Sequence, residues 1–307
     1  MTSFALPSPV SAPRSRRVSA GPVTLAVREW GSVADPTVVL LHGYPDTQDL
    51  WTDVAVRLAR AHHVVTYDMR GFGASTPPPD GTPGYALPHL LDDLDAVLSA
   101  VAPGKRVHLG GHDWGAIAGW EAVGGDRFTG RIVSYTAIAC PGLEHLRWWI
   151  ADRARSHPAA AAELLGQIAR SWYVYLLHLP WLPELCWRHV LGPVWGRLPG
   201  GTSRASTAGE DGARGAGLYR ANLRRRGSTG APTTPRTAIP VQVVIPTHDP
   251  FISPRVYDDV DRWVTDLVVH EIAAGHWVVR THPGEIAAWI TRLVDRVEPH
   301  GPDILRG

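Results

Sequence analysis

Six short runs rich in β-branched residues are spread along the chain, and they constrain its fold more than any other feature. Segments long enough for a helix separate most of these runs, and this alternation is typical of βα units in a parallel sheet that helices cover on both faces. The runs are TVVLL, HVVTYD, RVHLGG, RIVSYTAIA, VQVVIP and DLVVHEI, beginning at Thr37, His63, Arg106, Arg131, Val241 and Asp266. We therefore predict an α/β protein with a mostly parallel sheet.

The strand pattern stops in the middle of the chain, and this interruption predicts the domain organisation. Six of the thirteen tryptophans and several helical patterns lie there. We predict a helical cap over residues 143–236, inserted into a core formed by residues 21–142 and 237–300. Residues 196–217 are mostly Gly, Ala, Ser, Thr and Arg, which bury little apolar surface, so a flexible linker is expected there and a lid over the site is the alternative.

Length and charge limit the classes of partner. The 307 residues are 44% hydrophobic, enough for a sizeable core, and only 19% are charged, with a formal net charge of +1. Such a balance gives no overall field that would attract nucleic acid or an anionic membrane. We expect a small neutral substrate and neither metal nor organic cofactor; the sequence leaves open whether a homodimer forms.

The sequence also carries expectations about location. Residues 1–20 are rich in Ser, Pro and Ala and contain no continuous apolar run before Arg14, which predicts a disordered tail and no signal peptide. Cys140 and Cys186 are too few for a disulfide scaffold. No stretch of 18 apolar residues occurs, so we expect a cytoplasmic protein without membrane insertion.

The segment GGHDWGAIAG, Gly110–Gly119, carries the strongest chemical signal. It follows a predicted strand and opens a predicted helix, as a nucleophile elbow does, with Gly111 and Gly115 allowing close backbone approach around a strained central residue. That central residue is Asp113. A carboxylate there can attack a saturated carbon and form an ester that water then cleaves. The alternative role for Asp113 is a helix N-cap.

The turn HGYP, His42 to Pro45, follows the strand TVVLL. Such a turn directs a backbone N–H toward the elbow, so the amides of Tyr44 and Trp114 are predicted to form an oxyanion hole. The motif includes Gly43. For the imidazole of His42 we expect only a structural role in the turn.

Two later strand ends supply candidates for a base and an acid. His276, in the loop AAGHWV, is placed where a general base reaches the elbow. Asp249, in VVIPTHDPFI, is placed to orient His276, although an Asp-Pro pair is also a common turn. The order Asp113, Asp249, His276 is nucleophile, acid, base.

These motifs together carry a family resemblance. With HGYP, GHDWGA, DMRGFGAS (Asp68 to Ser75), THDPF and GHW in this order, the chain resembles the epoxide hydrolase and haloalkane dehalogenase branch of the α/β-hydrolases over residues 23–297. The resemblance implies an α/β-hydrolase fold, Asp113 as nucleophile, His276 as the base that activates water, and Asp249 as its acid.

Epoxide hydrolases of this branch carry two cap tyrosines that hydrogen-bond the epoxide oxygen, and the resemblance nominates Tyr173 and Tyr219. A phenol with a pKa of about 10 can donate to the alkoxide of an opening ring. Tyr175 lies close enough in sequence to compete with Tyr173 for the first position. Packing is the alternative role for all of them.

Two other functions compete with an epoxide hydrolase acting on a small apolar epoxide. A haloalkane dehalogenase would use the same triad, with Trp114 holding the halide, although Tyr44 is more typical of epoxide hydrolases. In some dehalogenases the acid follows the strand that corresponds to RIVSYTAIA, and Glu144 is the only candidate at that place in this chain. The other is a non-catalytic ligand-binding protein of hydrolase fold, which loss of the nucleophile, base or acid would support. All three are present.

Overall fold

The computed structural model of the protein describes residues 12–156, 158–197, 207–223, 230, 232 and 236–298. Eight strands within these residues form one sheet, in the order β1-β2-β4-β3-β5-β6-β7-β8. The strands are β1 Arg14–Ala20, β2 Val23–Trp30, β3 Thr37–Leu41, β4 His63–Tyr67, β5 Val107–His112, β6 Ile132–Ile138, β7 Thr237–Pro246 and β8 Val264–Ile272.

The sheet is mostly parallel. Strands β1, β2 and β4 pair antiparallel, and β4, β3, β5, β6, β7 and β8 pair parallel with their neighbours. Strands β3, β4 and β5 are buried along their whole length, which explains why they read as continuous apolar runs without alternation. All six predicted strands and the mostly parallel α/β fold are confirmed.

Five helices cover the two faces of the sheet. Residues of α2 and α3 belong to one hydrophobic cluster, and residues of α1, α10 and α11 belong to a second. The burial of two separate clusters on one twisted sheet is the layered arrangement expected for βα units. These helices are α1 Thr52–Leu58, α2 Leu87–Val101, α3 Trp114–Gly124, α10 Val278–Thr281 and α11 Pro283–Val297.

Within the described residues, six further helices lie between β6 and β7, and from here on the cap means the described residues of the stretch 143–223. They are α4 Leu143–Arg155, α5 Pro158–Arg170, α6 Trp172–Leu177, α7 Leu182–Cys186, α8 Gly192–Val194 and α9 Ala208–Asn222. A π-helical turn spans Trp187–Leu191. Short 3-10 turns complete the described elements, at Gln48–Trp51, Thr82–Tyr85, Trp195–Arg197, Pro254–Tyr257 and Val260–Trp263.

The prediction of a disordered tail over residues 1–20 is wrong for its last third. Residues Arg14–Ala20 form β1, which pairs antiparallel with β2 along its whole length. Only Val18 and Ala20 of this edge strand are buried, so backbone pairing and not an apolar pattern holds it in place. Residues 1–11 lie outside the described part of the chain.

The flexible segment predicted over residues 196–217 is also wrong in part, because Ala208 to Gly217 are helical in α9. The small residues that suggested a linker allow this helix to pack closely. A Cβ on Gly212 would lie 2.1 Å from the ring of Trp187, and one on Gly215 would lie 2.4 Å from the ring of Tyr44. Residues 198–206 lie outside the described chain, so the lid alternative stays a prediction there.

Within the described residues, no helix has both the length and the apolar character required to cross a membrane.

Candidate active site

Asp113 lies at the turn between β5 and α3, in a backbone conformation rarely adopted by residues other than glycine. Its φ and ψ are 53° and −119°. The turn is tight because glycines flank it: a Cβ on Gly111 would lie 2.4 Å from the carbonyl oxygen of Gly115, and one on Gly115 would lie 2.3 Å from that of Leu41. A strained conformation held by close packing projects the carboxylate away from the sheet.

The turn after β3 faces this carboxylate. The main-chain N–H of Tyr44 donates a hydrogen bond of 2.8 Å to Oδ1 of Asp113. A Cβ on Gly43 would lie 2.4 Å from the same oxygen, so glycine lets the turn approach Asp113 closely. The predicted orientation of the Tyr44 amide is therefore present, and Pro45 lies beside it in the wall of a cavity.

His42 has the structural role expected from the sequence. Its imidazole is fully buried, and Nε2 accepts a hydrogen bond of 2.9 Å from the main-chain N–H of Met69. Nδ1 must then carry the proton and donate to the carbonyl oxygen of Gly43, also at 2.9 Å. Burial lowers the pKa of His42, so a neutral ring ties the turn to the chain after β4.

His276 and Asp249 follow β8 and β7, and the structure brings them together. Nδ1 of His276 lies 2.7 Å from Oδ2 of Asp249. The other oxygen of Asp249 accepts main-chain N–H donors from Phe251 at 2.7 Å and Ile252 at 3.1 Å. Both side chains are almost completely buried. An acid held by two amides can fix the orientation of the imidazole and stabilise its charged form.

The opposite nitrogen of His276 faces the elbow. Nε2 lies 3.6 Å from Oδ2 of Asp113. Burial alone would lower the pKa of His276, but Asp249 and Asp113 outweigh it and raise that pKa to about 10. Burial likewise would raise the pKa of Asp113, but His276 and the Tyr44 amide hold it below its usual value. The resting pair is therefore an imidazolium beside a carboxylate.

Two cap tyrosines line the same cavity as the carboxylate of Asp113. Tyr173 on α6 and Tyr219 on α9 meet edge to face, with ring centroids 5.9 Å apart, and both line the cavity that contains Asp113. Burial, together with the negative charge of Asp113, raises the pKa of both phenols. Both hydroxyls therefore stay protonated in neutral solution and keep a hydrogen to donate.

Tyr175 and Trp114 are placed differently from these two tyrosines. The side chain of Tyr175 is 63% exposed, whereas Tyr173 lines the cavity, so position favours Tyr173 as the first cap tyrosine. Trp114 is buried in the first turn of α3, where its ring packs edge to face on the ring of Tyr219 with centroids 5.0 Å apart.

The cavity between the cap and the ends of the strands has a volume of about 420 Å³. Asp113, His276, Tyr173 and Tyr219 are among its few polar lining residues. The rest of its wall is mostly aliphatic and aromatic and is formed mainly by cap residues: Trp172, Leu176, Leu177, Leu182, Pro183, Cys186, Trp187, Leu191 and Trp195, with Tyr44, Pro45, Phe251 and Trp277 from the core. A wall of this kind suits an apolar small molecule.

Several residues that support the site were missed by the sequence analysis. Nε2 of His112 lies 2.9 Å from the carbonyl oxygen of His276, and the indole N–H of Trp277 donates to Oδ2 of Asp46 at 2.8 Å. These bonds connect the base loop to the elbow strand and to the HGYP turn. The only clue to them in the sequence is that His112 directly precedes Asp113 and Asp46 directly follows Pro45. Such proximity in sequence does not reveal a bonding partner more than 150 residues away.

Glu144, the alternative acid, is partly exposed and forms an ion pair of 3.0 Å with Arg236. The carboxylate that contacts His276 is that of Asp249. Position therefore favours Asp249 over Glu144 as the partner of the base.

A parallel sheet whose strand ends carry an elbow, a histidine and a second acid, with helices inserted after β6, defines an α/β-hydrolase. The family described as alpha/beta hydrolase fold matches residues 36–283, and the chain belongs to this family.

Two curated relatives from one organism are similar to the chain. "Probable oxidoreductase EphD" of Mycobacterium tuberculosis is 32% identical over 291 residues, which cover 91% of this chain but 49% of that protein. "Epoxide hydrolase A" of the same organism is 34% identical over 135 residues, or 44% of this chain and 41% of that protein. The chain thus spans about half the length of the relative that it matches along most of its length.

Solved structures share the fold. An epoxide hydrolase from Bacillus megaterium, crystallised as a mutant with a diol product, superimposes with a TM-score of 0.73 at 22% identity, covering 91% of this chain and 100% of that one. A structure of novel epoxide hydrolases from metagenomes of hot environments gives a TM-score of 0.75 at 19% identity, covering 92% and 99%.

Proposed function

We propose that the protein hydrolyses an apolar epoxide to a vicinal diol through a covalent ester on Asp113. The observation that carries this proposal is the arrangement around one carboxylate: an amide donor on Oδ1, an imidazole near Oδ2, and two protonated phenols facing it across an apolar cavity. The names of the epoxide hydrolase relatives and structural neighbours support the same reaction.

In the first step, Oδ2 of Asp113 attacks the less hindered epoxide carbon. Oδ1 is the less available oxygen because the Tyr44 amide already holds it. The carbon–oxygen bond of the ring breaks as the new ester bond forms, and Tyr173 and Tyr219 donate hydrogen bonds to the epoxide oxygen. These bonds strengthen as negative charge develops on that oxygen, which lowers the barrier.

In the second step, His276, oriented by Asp249, removes a proton from water, and the hydroxide adds to the ester carbonyl carbon of Asp113. Negative charge then develops on Oδ1. The Tyr44 amide already donates to that oxygen, and the amide of Trp114 is the second donor that we propose. Collapse of the intermediate breaks the ester bond, and the departing oxygen takes the proton of the intermediate's hydroxyl group. The diol is released, the carboxylate is restored, and His276 keeps the proton that it took from water.

The electrostatics link the two steps. Asp113 and Asp249 together raise the pKa of His276 to about 10, although burial opposes them. Esterification neutralises Asp113, so one of these two charges disappears and the pKa of His276 falls. His276 then loses one proton while the oxygen of the opened ring gains one, so the net charge of the site does not change. The imidazole reaches its basic form at the stage that needs a base.

A haloalkane dehalogenase with the same triad is the alternative. The placement of Trp114 argues against it, because the indole of Trp114 packs on the ring of Tyr219 and is not among the described residues that line the cavity, whereas a halide site would need its N–H turned to the substrate. The phenols of Tyr173 and Tyr219 are suited to hydrogen-bond the oxygen of an opening epoxide, and displacement of a halide does not require them. A non-catalytic binding role is disfavoured by the presence of the nucleophile, base and acid in mutual contact.

Oxygen isotopes test the covalent route. With enzyme in excess over an apolar epoxide such as styrene oxide, a single turnover in heavy-oxygen water is expected to give unlabelled diol and label in the Asp113 carboxylate, because the carboxylate oxygen enters the product. Labelled diol in that first turnover would refute the ester and indicate direct attack by water. Release of bromide from a bromoalkane without diol from the epoxide would favour the dehalogenase.

A further inference from the structure

The cap presents an unusually apolar surface around the mouth of the cavity. Six large side chains of α6 and of the turn into α7 are between 41% and 66% exposed, and we call them the apolar cap surface: Trp172, Tyr175, Leu176, Leu179, Trp181 and Leu182. Trp172, Leu176 and Leu182 also line the cavity. The surface is therefore continuous with the proposed substrate site. Clusters of exposed apolar residues of this size usually mark an interaction site.

The composition of this segment indicates which partner it fits. Residues 171–183 contain no Asp, Glu, Lys or Arg, and three of the six exposed side chains are Trp or Tyr. Tryptophan and tyrosine are the residues that proteins place at the boundary between lipid and water, because their rings are apolar at one end and polar at the other. An uncharged aromatic patch fits the headgroup region of a lipid layer.

Trp181 adds a second observation. Its backbone has a φ of 50° and a ψ of −27°, in the left-handed region that is unfavourable for a bulky residue, and its side chain is 66% exposed. Such a conformation costs roughly 1 kcal/mol or more. Because the indole is mostly exposed, its burial offsets little of this free-energy cost. A contact between the Trp181 side chain and a partner outside the chain would offset this cost.

The charges beside the surface complement an anionic layer. Although the net charge of the chain is only +1, residues 170–197 contain three arginines and a single acid, Glu184, which pairs with Arg220. Arg170 and Arg197 are exposed at the two ends of this stretch. Arg170 donates to the main-chain carbonyl oxygen of Asp249. Because that acceptor is neutral, this bond does not neutralise the positive charge of Arg170. Arg188 pairs with Glu210 and contributes less.

We propose that the apolar cap surface docks this protein on an anionic lipid layer, with the cavity mouth facing the lipid. The part of the proposal that concerns the substrate rests on the proposed function: an apolar epoxide dissolved in lipid would enter the cavity without crossing water. A second copy of the chain seated on the same surface would instead cover the mouth. Docking of this kind places side chains among the headgroups and requires no spanning helix.

Vesicle flotation tests the docking. The full chain is expected to float with vesicles of phosphatidylcholine containing 30% phosphatidylglycerol, and to bind less to phosphatidylcholine alone or in 0.5 M salt, because screening weakens the arginine contribution. The double variant Leu179→Ser/Trp181→Asn should lower the partition coefficient by at least about tenfold. Asparagine tolerates the backbone of position 181, so this variant should fold. Phospholipids brominated in their acyl chains should quench tryptophan fluorescence more in the wild type than in this variant.

A matched control is Val33→Ser, which removes an exposed apolar side chain from the turn between β2 and β3 and should bind as the wild type does. Equal flotation of wild type and double variant, or no flotation of the wild type, would overturn the docking. So would light scattering that shows a dimer for the wild type and a monomer for the double variant without lipid, because the surface would then join two copies.

Separate measurements of vesicle binding and of diol formation distinguish failure of the docking proposal from failure of the proposed function. Asp113→Asn should float as the wild type does while turning over nothing, and the double variant should keep full activity on a water-soluble epoxide but lose activity on an epoxide dissolved in vesicles. A wild type that floats but forms no diol would overturn the proposed function alone. A wild type that forms diol but stays unbound to vesicles would overturn the docking alone.

Discussion

Oδ2 of Asp249 lies 2.7 Å from Nδ1 of His276, on the side of the ring opposite to Asp113. The imidazole is thus held between two carboxylates in a buried site. This arrangement favours the imidazolium, and it makes the protonation of His276 depend on the charge of its neighbours.

Neutralising Asp113 should lower the pKa of His276. In Asp113→Asn the side chain keeps an acceptor for the Tyr44 amide but loses its charge, so one of the two groups that raise the pKa to about 10 is removed. Titration of the imidazole carbon signal by NMR in wild type and variant measures the change. A fall of at least about one pH unit is expected. An unchanged pKa would mean that Asp113 does not interact with the base.

Removing the base should separate the two chemical steps. His276→Gln retains the nucleophile, so the ester on Asp113 forms, but no group activates water and the ester accumulates. Mass spectrometry of the variant with an epoxide should show the mass of protein plus substrate, located on the peptide that contains Asp113. Asp113→Ala should give neither adduct nor turnover. Full activity in Asp113→Ala would refute the mechanism outright.

The acid can be assigned by comparing two neutralising variants. Asp249→Asn keeps the size of the side chain but removes the charge beside His276, and turnover should fall by at least about a hundredfold because the imidazole loses its orientation and its stabilised charged form. Glu144→Gln, which breaks only the partly exposed pair with Arg236, should stay within about twofold of wild type, as expected for a surface pair. The reverse outcome would identify Glu144 as the acid.

The positions of the triad could be predicted because they depend on topology that the sequence encodes locally. Each candidate follows a run of β-branched residues, and parallel strands bring their carboxyl ends to one edge of the sheet. Asp113, Asp249 and His276 therefore had to lie close together once the strands were identified. The Tyr44 amide could be predicted for the same reason, because its turn follows the neighbouring strand.

The remaining features depend on contacts between distant segments that leave little local pattern. Strand β1 is held by backbone pairing with β2, and its side chains are mostly exposed. Residues 208–217 of α9 belong to a segment for which a flexible linker is predicted, because its small residues bury little apolar surface, yet Gly212 and Gly215 allow close contact with Trp187 and Tyr44. The bond from Trp277 to Asp46 likewise joins two loops that only the folded chain brings together.

The two cap tyrosines should act only on the opening ring. In Tyr219→Phe the rate of ester formation should fall by about tenfold to a hundredfold, whereas the rate of ester hydrolysis stays unchanged, because the lost hydroxyl donates to the epoxide oxygen and not to the ester. Tyr173→Phe should behave in the same way. Single-turnover measurements of adduct formation and decay distinguish the steps. Tyr175→Phe is the control, since its side chain points outward.

A slowed decay of the ester in Tyr219→Phe would contradict this assignment. If bromoalkanes were turned over and Tyr219→Phe left that reaction untouched, the dehalogenase alternative would be supported instead.

Asp211 is a fully buried residue of α9 whose carboxylate contacts the core. Its Oδ1 accepts the main-chain N–H of Gly73 at 2.8 Å. Burial raises its pKa from 3.8 to about 7, although the Gly73 amide opposes the rise. The folded state thus binds this proton more tightly than the unfolded chain does, so the stability it contributes is complete below about pH 4 and is lost as the pH rises to about 7.

Asp211→Asn removes this dependence, because the amide stays neutral and its oxygen can still accept from Gly73. The Tm advantage of the variant over wild type should therefore grow from pH 5 to pH 8, reaching roughly 3 °C or more at pH 8. Glu210→Gln on the same helix is the control: Arg188 lowers the pKa of Glu210, so that variant should gain nothing as the pH rises. A constant Tm difference between Asp211→Asn and wild type would show that Asp211 is already ionised at pH 5, and that burial does not govern its charge.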